Sequence, residues 1–420
     1  MNHQTSFTEF TLPCGLQLKN RLVKAAMEEN LADDKHLPTE QLTRLYQTWA
    51  QGGVGLIITG NVMVDHLAKT GPGGVALEQD TPLEVFKNWA TAAKQNNTKV
   101  WMQINHPGRQ VFKRMGGKVL SPSDVAIDLG AHSNLFPQPT PMTEDDIQEV
   151  IARFVTTSVR AEAAGFDGVQ IHAAHGYLLA QFLSPLTNKR DDQWGGSLEN
   201  RARLLISIVK QVRQAVQPEF AVTVKLNSAD FQKGGFDAND AEAVVKLLSG
   251  LGVDVVELSG GSYESPAMQG NTADKSTLGR EAYFLEFARN IAKVADMPIM
   301  TTGGIRRLDI CEQVLRSGVD LVGLARALSF HPNLPTLWQT EWQKVGVIPR
   351  VNWDDKTLSG LAVMAMIKRN LRRISKGRKP LLSPRPMISL LLEQFRQTQL
   401  TKRYSKMIAN EYDNADQSKR

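Results

Sequence analysis

From residue 21 onward, short runs rich in β-branched and other apolar residues alternate with amphipathic stretches of helical period, and the pattern repeats about eight times. The strand-like runs fall at 21–27, 55–60, 99–105, 168–174, 221–227, 253–260, 298–304 and 320–326. Helical stretches lie between them at 38–51, 81–95, 143–164, 197–216, 237–250, 281–294 and 307–317. Near-continuous apolar strands, each followed by a helix, are what a parallel sheet covered on its outer face requires, because parallel neighbours can be joined only by a long crossover. A doubly wound sheet of this length would normally carry a Gly-x-Gly-x-x-Gly turn after its first strand. The chain has none, so the eight units point to a closed α/β architecture, the (β/α)8 or TIM barrel.

Local signals support the boundaries. Thr143 precedes Glu144, Asp145 and Asp146, and Ser197 precedes Asn200 by three, both suited to helix N-termini. Gly165, Gly250 and Gly318 stand where helices should stop. Residues 10–20 read as a hairpin turning at Pro13-Cys14-Gly15, placed to plug the N-terminal end of the barrel. The segment 106–142 reads as an ordered excursion at the barrel mouth with no strand of its own. Strand rhythm ends near Leu334, which divides the chain into a barrel, 1–335, and a helical C-terminal extension, 336–420. Two helices are expected in the extension, near 358–375 and 387–409, separated by the Lys376-Gly377-Arg378-Lys379-Pro380 and Ser383-Pro384-Arg385-Pro386 breaks.

A chain of 420 residues, 42% hydrophobic, can bury one large core. Its net charge of +6 is uneven: residues 341–420 hold 17 Lys and Arg against 7 Asp and Glu, which leaves the rest slightly acidic. Aromatics are sparse in that basic tail and its charges are dispersed, so a face packed on the barrel or on a second subunit is expected there rather than a nucleic-acid contact or a membrane-surface helix. The polar first ten residues lack the apolar core of a signal peptide, and no run of eighteen apolar residues occurs, so a cytoplasmic protein without stable membrane insertion is expected. Cys14 and Cys311 stand in no metal-ligand spacing, which leaves a disulfide framework, a zinc site and an iron–sulfur cluster unsupported.

The chemistry concentrates where the fourth strand opens into Gly168-Val169-Gln170-Ile171-His172-Ala173-Ala174-His175-Gly176-Tyr177. Two imidazoles and a phenol at the C-terminal mouth of a barrel strand are groups that hydrogen-bond and exchange protons near neutrality. Gln103 and Lys225 end the third and fifth strands among apolar neighbours; they need either buried partners of their own or a polar ring to bind. At the seventh and eighth strands, Thr302-Gly303-Gly304 and Gly323-Leu324-Ala325-Arg326 either grip a phosphate through backbone amides and a guanidinium or simply turn the chain.

Taken together, Asn20-Arg21-Leu22-Val23-Lys24-Ala25-Ala26-Met27, Gln103, His172 to Leu178, Phe182-Leu183-Ser184-Pro185, Trp194-Gly195-Gly196-Ser197-Leu198-Glu199-Asn200-Arg201 and the Gly303-Gly304 and Arg326 loops resemble the old yellow enzyme family of FMN-dependent oxidoreductases. The resemblance spans roughly residues 10–332 and implies FMN at the barrel mouth, reduced by NADH or NADPH and oxidised by a small electron-poor acceptor of the α,β-unsaturated carbonyl type. It implies that the backbone of Ala25, Ala26 and Met27 lies beneath the flavin, with Glu28 and Asn61 beside it, Gln103 on the pyrimidine edge and Lys225 on the N1–O2 side. Gly303, Gly304, Ala325 and Arg326 would hold the phosphate. His172 and His175 would anchor the acceptor oxygen while hydride passes from flavin N5 to the β-carbon, Tyr177 would protonate the α-carbon, and Tyr263, in the loop 259–268, would lean over the ring.

The departures matter too. Glu28 stands where the family usually has Cys or Thr, Ala26 where many relatives have Pro, and Asn30 where bacterial ene reductases have Tyr. An ionised Glu28 would disfavour an anionic reduced flavin and a protonated one would donate a hydrogen bond; otherwise it is a solvated acid paired with Lys24 or Arg44. Two readings stand beside the first: a lyase or isomerase that grips a substrate phosphate with the same loops, and a degenerate flavin-binding protein with low turnover.

Overall fold

A computed structural model describes residues 5–267 and 281–418. Among these residues eight parallel strands, β1 (Leu22–Lys24), β2 (Leu56–Ile58), β3 (Lys99–Asn105), β4 (Gly168–Ala173), β5 (Ala221–Asn227), β6 (Val255–Ser259), β7 (Ile299–Thr301) and β8 (Leu321–Leu324), pair in sequence order. β8 pairs with β1 and the circuit closes as a barrel. Helices α1 (Glu40–Gln51), α2 (Glu84–Ala93), α3 (Glu144–Ala163), α4 (Leu178–Leu183), α5 (Leu198–Ala215), α6 (Ala238–Leu248), α7 (Leu285–Ala292) and α8 (Leu308–Arg316) follow the strands. Thr143 caps α3 in a reciprocal capping box with Asp146, and the Ser197 hydroxyl accepts the Asn200 N–H at the start of α5.

The barrel interior changes character along its axis. Its lower layer is apolar, made by Val23, Leu56, Trp101, Ala221, Val255, Met300 and Leu321. The strands Phe10–Thr11 and Gln17–Leu18 form the expected antiparallel hairpin, and its Leu12 and Leu18 seal that layer from below. Gly15 makes the turn with φ of 87°, a left-handed conformation that glycine takes without a Cβ penalty. Above this plug the inward positions become polar, so the apolar floor leaves only the C-terminal mouth for chemistry.

Several elements differ from the sequence-based expectation. α4 is buried at all six positions, so it lacks the polar face that reveals a helix in sequence. The mouth excursion contains a parallel pair of two-residue strands, Leu120–Ser121 with Thr140–Pro141, which corrects the expectation of no strand there; two residues are too few to show alternation. Helix α7 starts at Leu285, not 281, because Ala282 takes a left-handed φ of 62° that a right-handed helix cannot include; Glu281 instead engages Arg306 and Arg307 at 2.9 and 3.1 Å.

Beyond α9 (Leu334–Thr340), the C-terminal residues form α10 (Lys356–Ile374) and α11 (Pro386–Ser418). These two helices lie over the loops that leave β1 and β2. Lys368 Nζ donates to Asn30 Oδ1 at 2.6 Å, Arg396 Nη2 donates to the Asn30 carbonyl at 2.7 Å, and Tyr404 Oη donates to the His66 carbonyl at 2.8 Å. Met115, Tyr404 and Ile408 bury one another in a small satellite core.

His66 is a clamp in this seam, with Nδ1 at 2.6 Å from Glu78 and Nε2 at 2.9 Å from Glu411 of α11. Hydrogen bonding to Glu78, outweighing partial burial, raises its pKa to about 9. A folded pKa above the unfolded value gives stability that is complete below about pH 6.5 and is lost as pH rises through about 9. Amide exchange in the last turns of α11 is therefore expected to accelerate above about pH 9 in the wild type and to lose that dependence in His66→Gln; a wild-type profile as flat as the variant's would count against the clamp. The neighbouring Asp65 and Glu78 are engaged by Lys118 at 3.4 Å and Arg153 at 2.8 Å, so this cluster is an ion-pair network.

Candidate active site

The polar layer begins with a hydrogen-bonded chain across four adjacent strands. Gln103 Nε2 on β3 donates to Gln170 Oε1 on β4 at 2.7 Å, Gln170 Nε2 donates to Glu257 Oε2 on β6 at 2.8 Å, and Lys225 Nζ on β5 donates to Glu257 Oε1 at 2.8 Å. All four side chains are buried. A carboxylate only accepts, so Glu257 forces Gln170 to present its amide nitrogen on one side and its oxygen to Gln103 on the other, which fixes the orientation of both amides. The ion pair satisfies Lys225 below, and the ammonium keeps further donor capacity. Sequence reasoning missed Gln170 and Glu257. Their signal was parity: Gln170 lies two residues before His172, and Glu257 two before Ser259, on the inward face of their strands.

One level higher, the β4 exit turn gathers the two imidazoles and the phenol. His175 sits at φ 61° with its N–H donating to Asn227 Oδ1 at 3.0 Å, while Gln110 Nε2 donates to the His175 carbonyl at 3.0 Å and Gln181 Nε2 to the Gly176 carbonyl at 2.7 Å. The His172 ring centroid lies 5.0 Å from that of His175 and 4.9 Å from that of Tyr177. His172 Nδ1 accepts the Ala174 N–H at 3.2 Å, so the neutral ring carries its proton on Nε2 as a donor. His175 Nε2 is 2.7 Å from Ser259 Oγ. Burial first, then the Lys225 charge, pushes both histidine pKa values well below the usual range, and both rings are neutral. The Tyr177 phenol, 3.5 Å from that of Tyr263, is pushed well above its usual range by burial, with Tyr263 and the Glu28 charge adding, and stays protonated.

On the opposite rim, Gly303 and Gly304 adopt φ of 124° and 77°. A Cβ on Gly304 would fall 2.5 Å from Tyr283 Oη, so the loop is closed to side chains. Arg326 Nη2 donates to Tyr283 Oη at 3.1 Å, and Ala325 links it to β8. Ala25, buried, gives its N–H to the Leu324 carbonyl at 2.8 Å, so Ala25, Ala26 and Met27 leave β1 along the mouth. Asn61 Nδ2 is 3.5 Å from Thr70 Oγ1, which donates to Glu28 Oε1 at 2.6 Å. Glu28 pairs with neither Lys24 nor Arg44, as the sequence left open: its cation is Lys368 of α10 at 3.7 Å, while Lys24 is buried against Glu29 at 3.4 Å. Of the loop 259–268, Met268 lies outside the described residues.

This donor set fits FMN. A buried amide on β3 and an ammonium on β5 belong to one hydrogen-bonded layer suited to a polar ring edge, and a glycine turn beside a guanidinium serves a phosphate. Fold and site together define a barrel flavoprotein of the oxidoreductase class. Residues 7–344 match the model of the NADH:flavin oxidoreductase / NADH oxidase family, and the chain belongs to that family, which makes it an FMN-dependent oxidoreductase reduced by a nicotinamide.

The chain is 38% identical over 350 residues to the NADH-dependent flavin oxidoreductase iliE of Neonectria sp. (strain DH2), covering 77% of this chain and 46% of that protein. It is 36% identical over 347 residues to its counterpart iliE of Hypocrea jecorina (strain QM6a), covering 77% and 86%. The chain thus spans about half of the first protein and most of the second. Among solved structures it is similar to the old yellow enzyme homologue from Zymomonas mobilis, with a TM-score of 0.70 and 25% identity over 82% of this chain and 95% of that one. Family membership favours the flavin reading over a phosphate-gripping lyase or isomerase.

Proposed function

We propose that the protein reduces the activated alkene of an α,β-unsaturated carbonyl-type acceptor. The observation that carries this reading is the pair of neutral imidazoles, His172 buried and His175 partly exposed, beside a protonated phenol, above the Lys225–Glu257 layer. When bound, FMN would supply the two-electron chemistry that couples NADH or NADPH oxidation to reduction of the acceptor at its β-carbon. Ala25, Ala26, Met27, Glu28, Asn61, Gln103, Lys225, Gly303, Gly304, Ala325 and Arg326 are the residues proposed to hold it. His172, through Nε2–H, and His175 bind the acceptor oxygen, and as negative charge grows there their hydrogen bonds strengthen. Neutral donors suit this task, since they polarise the carbonyl without first surrendering a charge to burial. Tyr177 delivers the proton to the α-carbon, and Tyr263, beside it, walls the acceptor. Holding carbonyl and alkene in one orientation supplies much of the remaining acceleration.

Tyr177→Phe is expected to slow alkene reduction by about 10²–10⁴-fold, the range for a positioned general acid, while flavin reduction changes little. Rapid mixing of the two half-reactions separates them, and equal slowing of both would remove Tyr177 from the proton-donor role.

A further inference from the structure

Helix α11 has two apolar faces. Leu390, Thr401, Tyr404 and Ile408 are buried toward the rest of the molecule. Met387, Ile388, Leu391, Leu392 and Phe395 fall within an arc of about 140° on the other side, at 100° per residue. These five are 39–66% exposed, and Leu382 just before the helix is 55% exposed. Six large apolar side chains in one stretch are more than the isolated exposed leucines that any surface carries.

The charge around this stripe is predominantly positive, with Glu393 taken up by Arg372 at 2.5 Å. Between Lys356 and Leu392 the chain carries nine Lys and Arg and no Asp or Glu. Arg369, Arg372, Arg373, Lys376 and Arg378 line a surface depression of about 230 Å³ whose remaining wall is Leu392, so cations and stripe are contiguous. Farther along the outer face of α11 come Lys402 and Lys406, both exposed. Pairing this face with its copy would bring two such cation-lined depressions together across the stripe, with Lys402 and Lys406 adding to the positive charge, which opposes self-association through the face.

We propose that this face docks on the surface of an anionic phospholipid bilayer, with Met387, Ile388, Leu391, Leu392 and Phe395 in the acyl boundary and the Arg369 to Arg378 depression on phosphate headgroups. Apolar residues on one arc of a helix, with Lys and Arg flanking them, are the arrangement of helices that lie in a membrane interface. No span is needed for this, and no helix among the described residues is long and apolar enough to cross a membrane. The expectation of a solvated or packed tail holds for the face that carries Tyr404 and Ile408, and the outer face of the N-terminal half is assigned differently.

Co-sedimentation of the full-length, flavin-loaded protein with vesicles tests the assignment. Binding to phosphatidylcholine vesicles containing phosphatidylglycerol is expected, at least tenfold weaker to pure phosphatidylcholine and weakened by salt. Leu391→Glu with Phe395→Glu should abolish it, and Lys376→Glu with Arg378→Glu, which leaves the apolar stripe intact, should weaken it at least tenfold; retained flavin absorbance and helicity report folding. Absence of vesicle binding by the wild type would overturn the proposal. So would a wild-type dimer in sedimentation equilibrium that Leu391→Glu with Phe395→Glu converts to monomer, since the face would then belong to a second copy.

Discussion

Joint replacement of His172 and His175 by alanine is expected to abolish phenol and enone binding while FMN stays bound with an unchanged spectrum. In the proposed arrangement each ring offers a hydrogen bond where negative charge develops, and loss of one such donor costs about 10²–10³-fold in rate. The rings have little other structural duty toward the layer beneath, whose Gln103, Gln170, Glu257 and Lys225 satisfy one another. His175 adds a backbone complication: at φ 61° alanine is strained by about 1–2 kcal/mol. His175→Asn, which tolerates that conformation, serves as the control. Reoxidation of the reduced protein by an enone, and difference spectra with phenols, are the measurements. Phenol binding retained in the double variant would exclude the anchoring role.

The second large effect is expected at Lys225. In the proposed arrangement Lys225 stands beside the ring, where its ammonium would stabilise the negative charge that reduction brings, so Lys225→Met should slow flavin reduction by about 10²–10³-fold. The substitution has a second consequence that must be separated from the first. It leaves the Glu257 carboxylate buried and without its cation, and breaking a buried pair costs about 3–5 kcal/mol of stability. Glu257→Gln in the same chain removes the stranded charge while preserving a hydrogen-bond partner for Gln170. The paired variant is therefore expected to regain most of its denaturant stability and none of its reduction rate. Recovery of the rate together with stability would show that Lys225 acts through the fold alone.

The barrel was legible in sequence because its grammar is periodic: apolar strands, amphipathic helices, capping residues and terminal glycines each repeat a local rule. Thr143, Ser197 and Gly15 do what their side chains or lack of one dictate. α4 was hidden for the opposite reason, since a helix buried on every side shows no period. His172, His175 and Tyr177 were visible as three reactive groups within six positions, and the structure brings their rings together. Glu257 and Gln170 were not singled out, because the partners that give them meaning lie on other strands, 32 positions from Lys225 and 67 from Gln103. The cation of Glu28 was beyond local reading for the same reason: Lys368 comes from a helix at the far end of the chain.

One anaerobic titration tests the central claim most directly. Protein supplied with FMN should become yellow, lose the flavin band on addition of NADH or NADPH, and regain it on addition of an enone, with stoichiometric loss of the alkene. Protein that remains colourless in excess FMN, or that is bleached by the nicotinamide and is not reoxidised by any enone, would contradict the account.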